Sequence, residues 1–195
     1  LRVMVNAMES FPEADFGTQY NIREYYKPYP ILINSKEAFK EHFFGNSFFQ
    51  SGPTGTIFKR EAFLNLGGFS GRRYIGDTEM WIKFCLRGPI VLIQPALIWW
   101  RQHQEQEFQL GQTLDGYIKL NHQLFLELME NDEIPISHLE REEAIKKYKY
   151  HKVRLFFAEI IKRLNFGNAA KLYSICGLKV LNLFSIFKPQ TWKKF

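Results

Sequence analysis

Asp77 and Glu79 stand two residues apart in YIGDTEMWIKF, residues 74–84, directly after Gly76 and at the start of an apolar-periodic run. Carboxylates so placed can bind a metal, cap a helix or take a proton from a hydroxyl. On a helix, positions i and i+2 point about 200° apart, so this pair does not readily share an ion. Two roles stay open for Asp77: a first-turn or N-cap acid that complements the helix dipole, or a base aimed into a cleft. Arg72 and Arg73 lie just before it, suited to an anionic group or to holding the loop in water. A second cluster is WWRQH, residues 99–103. In an extended chain Arg101 and His103 face the same side and can reach one phosphate or a metal-bound phosphate. The guanidinium offers a fixed, always charged donor fork, and a neutral imidazole is a common metal ligand. The plain alternative is two surface residues at a strand end.

GPTG, residues 52–55, has the outline of the G-x-x-G clamp of some RNA-binding modules. It lacks that clamp's flanking helix pair and basic content, and no Gly-Lys-Ser/Thr follows to make a phosphate loop. It reads as turn chemistry. The elements around these residues follow from periodicity and punctuation. Val3, Met4, Ala7, Met8 and Phe11 predict a helix that Pro12 stops. Residues 17–29 read as loop, and PILIN (30–34) as a short strand. Ser35 is the expected cap of a helix over KEAFKEHFF, with Gly45 closing it. TIF (56–58) reads as a buried strand, and KREAFLNL as a short helix ended by Gly67-Gly68. A further helix runs from about Asp77 to Arg87, with Gly88 as its stop and Pro89 beyond. IVLI and ALIWW read as strands on either side of Gln94-Pro95. Residues 112–131, 138–164 and 168–186 read as helices. Mixed strands and helices thus occupy 1–108 and a helical extension 109–195, with the boundary near 104–112.

The 195 residues are enough for one domain with a real core and an appendage. Aromatic residues at 16% argue against disorder. Cys85 and Cys176 form no C-x-x-C or Cys/His cluster, which disfavours a disulfide scaffold or zinc site and fits a reducing compartment. No apolar run reaches the roughly 18 residues of a membrane span. No secretory signal opens the chain, and a start at Leu1 suggests removal of something upstream. The net charge of +6 is uneven: residues 139–195 hold 13 Lys/Arg against 4 Asp/Glu, and the preceding part is slightly acidic. A basic tail suggests a polyanionic surface as partner, or else a solvated helix face.

In their order, the pieces GTIFKREAF, GGF, GDTEMW and WWRQH resemble the second half of the catalytic domain of family 2, GT-A type glycosyltransferases. VNAMESFPEAD resembles the helix and turn that follow the nucleotide-sugar site, so the likeness covers roughly residues 1–105. It implies an α/β fold class: the acceptor-side half of a GT-A (nucleotide-diphospho-sugar transferase) fold, followed by a C-terminal helical segment. It also implies transfer of a sugar from a nucleotide-sugar donor to a hydroxyl acceptor with inversion, in polysaccharide or glycan synthesis. Asp77 would be the general base, with Glu79 a bystander and Trp81 packing its helix on the core. Arg101 and His103 would approach the donor diphosphate and its divalent metal, Mn or Mg, with His103 as a candidate metal ligand. Ser51, Gly52 and Thr54 would sit where donor and acceptor sugars are presented, and Arg72 and Arg73 would be available for anion contacts.

Two departures from that pattern matter. The acid that usually precedes the Asp is Gly76 here. No Asp-x-Asp occurs in the sequence, so the donor-binding half and its metal motif are expected upstream of Leu1, and the 195 residues alone are expected to be inactive. Beyond residue 112 the likeness ends. KVLNLFSIFKPQTWKKF combines Leu and Phe with Lys and Trp, the composition of a helix lying at a membrane interface. A cytoplasmic protein, peripheral at the inner membrane face and acting on a sugar or lipid-linked acceptor, is the expectation. Helices that pack back on the body or on a dimer partner give the same composition. The rival function is a non-enzymatic basic helical module that binds nucleic acid, membrane or a partner protein. Nucleic acid is the less favoured of these.

Overall fold

A computed structural model describes residues 1–20, 28–45, 47–50, 52–99, 101 and 103–187. It is mixed α/β, and the chain divides into two compact units. Unit one comprises Leu1–His103 with Glu133–Pro135; unit two comprises Gln104–Asp132 and Ile136–Phe195.

Unit one is built on a four-stranded mixed sheet. Its strands are β1 (Phe16–Gln19), β2 (Ile31–Ile33), β3 (Thr56–Phe58) and β4 (Ile90–Ile93), in the spatial order β2-β4-β1-β3. The central pair β1 and β4 is parallel, from Phe16 opposite Ile90 to Gln19 opposite Ile93. The outer strands run antiparallel to it. All four residues of β4 are buried, as a strand covered on both faces must be. TIF, expected to be a buried strand, is only half buried because β3 lies at the sheet's edge.

Alternation along β1 sorts the two layers that cover the sheet. Phe16 points to one face, where the rings of Trp81 and Phe84 stack on it at 4.7 and 5.2 Å between centroids. Both belong to α4 (Gly76–Arg87). Gly17 points to the other face, toward α1 (Arg2–Glu9). A Cβ there would stand 2.7 Å from the Met8 sulfur and 3.1 Å from Ile93 Cδ1, so only glycine lets α1 settle this close. Met4 and Ala7 of α1 form a buried cluster with Ala14, Val91 and Ile93. Phe39 of α2 (Ser35–Phe44) is fully buried as well.

Local signals account for most boundaries. The cap of α2 is Asn34 rather than the expected Ser35. Asn34 Oδ1 accepts from the Glu37 N–H at 2.9 Å and Glu37 returns the bond to the Asn34 N–H, a reciprocal capping box. Gly67 and Gly68, both at positive φ, stop α3 (Arg60–Asn65). ALIWW is not a strand over residues 96–99, and Trp100 lies outside the described residues. After Pro95 the chain enters a left-handed conformation at Ala96 (φ 66°), and the Leu97 N–H turns to the side-chain oxygen of Gln19 at 3.3 Å.

Unit two is helical. Its elements are α5 (Glu107–Leu110), a π-turn at Leu114–Ile118, α6 (Lys119–Glu130), α7 (His138–Ile161), α8 (Phe166–Ile175) and α9 (Val180–Leu183). The expected helix over 168–186 is broken, because Gly177 adopts φ 54° between α8 and α9. Val153 of α7 packs with Leu172, Cys176 and Leu178 in a buried core. Arg141 of α7 reaches the open C-terminal end of α6 and donates to the carbonyls of Leu128 (3.1 Å), Met129 and Asn131 (3.0 Å). Because these are charge-assisted bonds to carbonyls that the helix leaves orphaned, Arg141→Ala is expected to cost about 1.5–3 kcal/mol in urea unfolding. A midpoint equal to that of the parent would show the cap to be dispensable. Among the described residues no helix is long and apolar enough to cross a membrane.

Candidate functional site

The direction of α4 determines where Asp77 lies. At its C-terminal end Arg87 donates to Asp15, just before β1, at 2.8 Å. Its middle stacks on Phe16, the first residue of β1. The C-terminal half of α4 is therefore anchored over the start of β1, and Asp77 lies one helical turn before the anchor Trp81. In open α/β sheets the crevice beyond the carboxyl ends of parallel strands is where ligands bind.

Several segments converge on that edge. The Tyr20 N–H donates to the Ile93 carbonyl at 3.2 Å, closing the ends of β1 and β4. The turn before β3 arrives beside them: a Cβ at Gly55 would lie 3.4 Å from Ile98 Cδ1 and 3.5 Å from Gln19 Cβ. Gly52 and Thr54 are exposed at this turn, and a Cβ at Gly52 would meet nothing within 4 Å among the described residues. Ser51 lies outside the described residues. Gln19 was not anticipated from the sequence. Its Oε1 holds the Leu97 N–H, and its amide nitrogen is buried with no hydrogen-bond partner among the described residues.

Asp77 is the second residue of α4, not its N-cap; that position falls to Ile75, whose side chain makes no cap. One carboxylate oxygen of Asp77 accepts the Thr78 N–H at 2.8 Å. Desolvation pushes the Asp77 pKa up from the ordinary aspartate value, against the pull of backbone and Thr78 hydrogen bonds that favour the anion. The result is a half-buried carboxylate with a raised proton affinity, which is what a general base needs.

Glu79, expected to be a bystander, organises the loop that leads into Asp77. It accepts from the Ser70 hydroxyl and pairs with Arg72 at 2.5 Å, while the Arg72 N–H donates to Ser70 Oγ at 3.2 Å. The Arg72 guanidinium is thus engaged by a carboxylate within the protein. Arg73 is exposed and lies over the Tyr74 ring at 4.8 Å, with Tyr74 itself at φ 70°. Glu79→Gln keeps the volume but removes the ion pair. It is expected to lower stability by about 1 kcal/mol and to speed proteolysis between residues 69 and 75. Unchanged proteolysis would mean that the loop holds without Glu79.

Arg101 and His103 are both exposed, in the segment that continues from Ile98. Residues 96–99 are not a strand and Gln102 lies outside the described residues, so the same-face geometry expected of this pair has no strand beneath it. Among the described residues no three His, Cys, Asp or Glu side chains gather into a group able to hold a metal. No protein-family model matches the chain, nor does any curated protein or solved structure.

Proposed function

We propose that the chain is the acceptor-side part of an inverting glycosyltransferase of the GT-A type, with Asp77 as the general base. The observation that carries this reading is the Asp77 carboxylate itself: half-buried, desolvated and in the first turn of α4, the helix that packs on the central strand β1. In the proposed reaction the Asp77 carboxylate takes the proton of an acceptor hydroxyl as that oxygen attacks the anomeric carbon of a nucleotide sugar. The bond from that carbon to the diphosphate breaks on the opposite side, and the diphosphate leaves as the anion. Arg101, always charged, is assigned to that leaving group, with His103 beside it. Gly52 and Thr54, both exposed, are assigned to the turn against which sugars lie.

The donor-binding half that the resemblance requires would come from elsewhere in the complete protein. The experiment is release of nucleoside diphosphate from a panel of nucleotide sugars by the complete protein, with and without candidate acceptors. Acceptor-dependent release that disappears in Asp77→Asn supports the reading. Release that survives the substitution, in folded protein, defeats it.

A further inference from the structure

Seven consecutive residues, Ile161 to Gly167, are exposed where α7 ends and α8 begins, and three of them are large and apolar. Ile161, Leu164 and Phe166 show 70%, 74% and 66% of their surface to solvent. Single exposed apolar residues are ordinary; three within six positions at one corner are not.

The corner is held in this form. Leu164 sits at φ 50°, a left-handed conformation that costs a Cβ-bearing residue energy and that glycine would adopt freely. Its neighbours fix it there: the N–H groups of Lys162 and Arg163 both donate to the Ala158 carbonyl, at 3.0 and 3.2 Å, and the Asn165 N–H donates to the Glu159 carbonyl at 2.9 Å. Beneath the turn, the buried Glu159 carboxylate takes Arg163 on one oxygen and Asn168 on the other. The Asn165 side chain caps α8 through the Asn168 N–H at 2.9 Å. A leucine is therefore kept in a strained conformation with its side chain in water, where glycine would serve the fold better.

Cations interleave with the apolar side chains. Lys162 and Arg163 separate Ile161 from Leu164, and the exposed Arg154 lies one heptad before Ile161 on the same side of α7. The segment from residue 139 onward carries a formal balance of +9. Exposed apolar residues with Lys162, Arg163 and Arg154 close by in the sequence match one chemistry, the interface of an anionic bilayer, where the side chains enter the acyl boundary and cations meet headgroups. We infer that the α7–α8 corner of unit two is a lipid-surface docking wedge, with Leu164 at its tip and Ile161 and Phe166 beside it. It does not depend on the transferase reading, because it engages lipid whether or not a sugar is transferred.

The test is co-sedimentation of the full chain with vesicles of phosphatidylcholine alone and of phosphatidylcholine mixed with phosphatidylglycerol, beside a thermal melt. The parent is expected to bind the mixed vesicles and to bind the neutral ones far less. Leu164→Gly is expected to weaken binding about tenfold, from the loss of one inserted leucine, and at the same time to raise the melting temperature by relieving the strained φ. Phe166→Ser, exposed and off the core, is expected to weaken binding similarly with an unchanged melt. Equal binding to both vesicle types, absence of binding by the parent, or variants that bind as the parent does would each overturn the wedge.

Discussion

Asp77→Asn is expected to lower transfer by about 10²–10⁴-fold in the complete protein, while leaving its melting temperature unchanged or slightly higher. The two halves of that result come from one fact. The folded protein raises the Asp77 pKa above its ordinary value through desolvation, so between those two values the native state binds more protons than the unfolded state. Stability then falls as pH rises through that window, and at neutral pH the ionised carboxylate is a cost to the fold. Asn removes the charge, and its side-chain oxygen still accepts the Thr78 N–H that Asp77 accepts at 2.8 Å. It has no basicity with which to take a proton. A loss of transfer accompanied by a large loss of stability would assign Asp77 to structure, as would full activity in the variant.

Trp81→Ala is the substitution expected to cost most stability, about 3–5 kcal/mol in urea unfolding. Trp81 is wholly buried and stacks on Phe16 at 4.7 Å, with Phe58 and Phe69 at 6.1 and 6.2 Å. Those contacts join α4 to β1, β3 and the loop after α3, so the cavity left by alanine is lined by rings that cannot all close in. Trp81 is also one helical turn from Asp77, so its packing on Phe16 helps to set where the first turn of α4 lies. Trp81→Phe keeps an aromatic ring against Phe16 and is expected to recover more than half of the loss. An alanine variant within about 1 kcal/mol of the parent would mean that α4 is not anchored through this residue.

The sequence makes α4 legible because everything that defines it is local: an apolar period, acids at its start, and Gly88-Pro89 at its end. β1 is a different case. FGTQ has one large apolar residue and a glycine, and its strand character comes from β3 and β4 on either side and from Met8 pressing on Gly17. None of that is visible along the chain. ALIWW misleads in the opposite way, since its composition is that of a strand while Pro95 and the left-handed Ala96 turn it across Gln19. The role of Glu79 was hidden because its partners, Ser70 and Arg72, lie across a loop with no period to link them. Gln19 gave no signal at all: a glutamine at a strand end becomes informative only once its amide nitrogen is seen to be buried without a partner among the described residues. For Asn34 and Ser35 the sequence offers two adjacent capping residues, and the Glu37 three positions after Asn34 is the signal that separates them.

The pH dependence of kcat/KM for transfer by the complete protein tests the central claim most directly, because it reports ionisation of the base in the free enzyme. With Asp77 as that base, the rate falls about tenfold per pH unit on the acid side, with an apparent pKa above the ordinary aspartate value. A profile that stays flat down through that value, with the fold intact by circular dichroism, would contradict the assignment of Asp77.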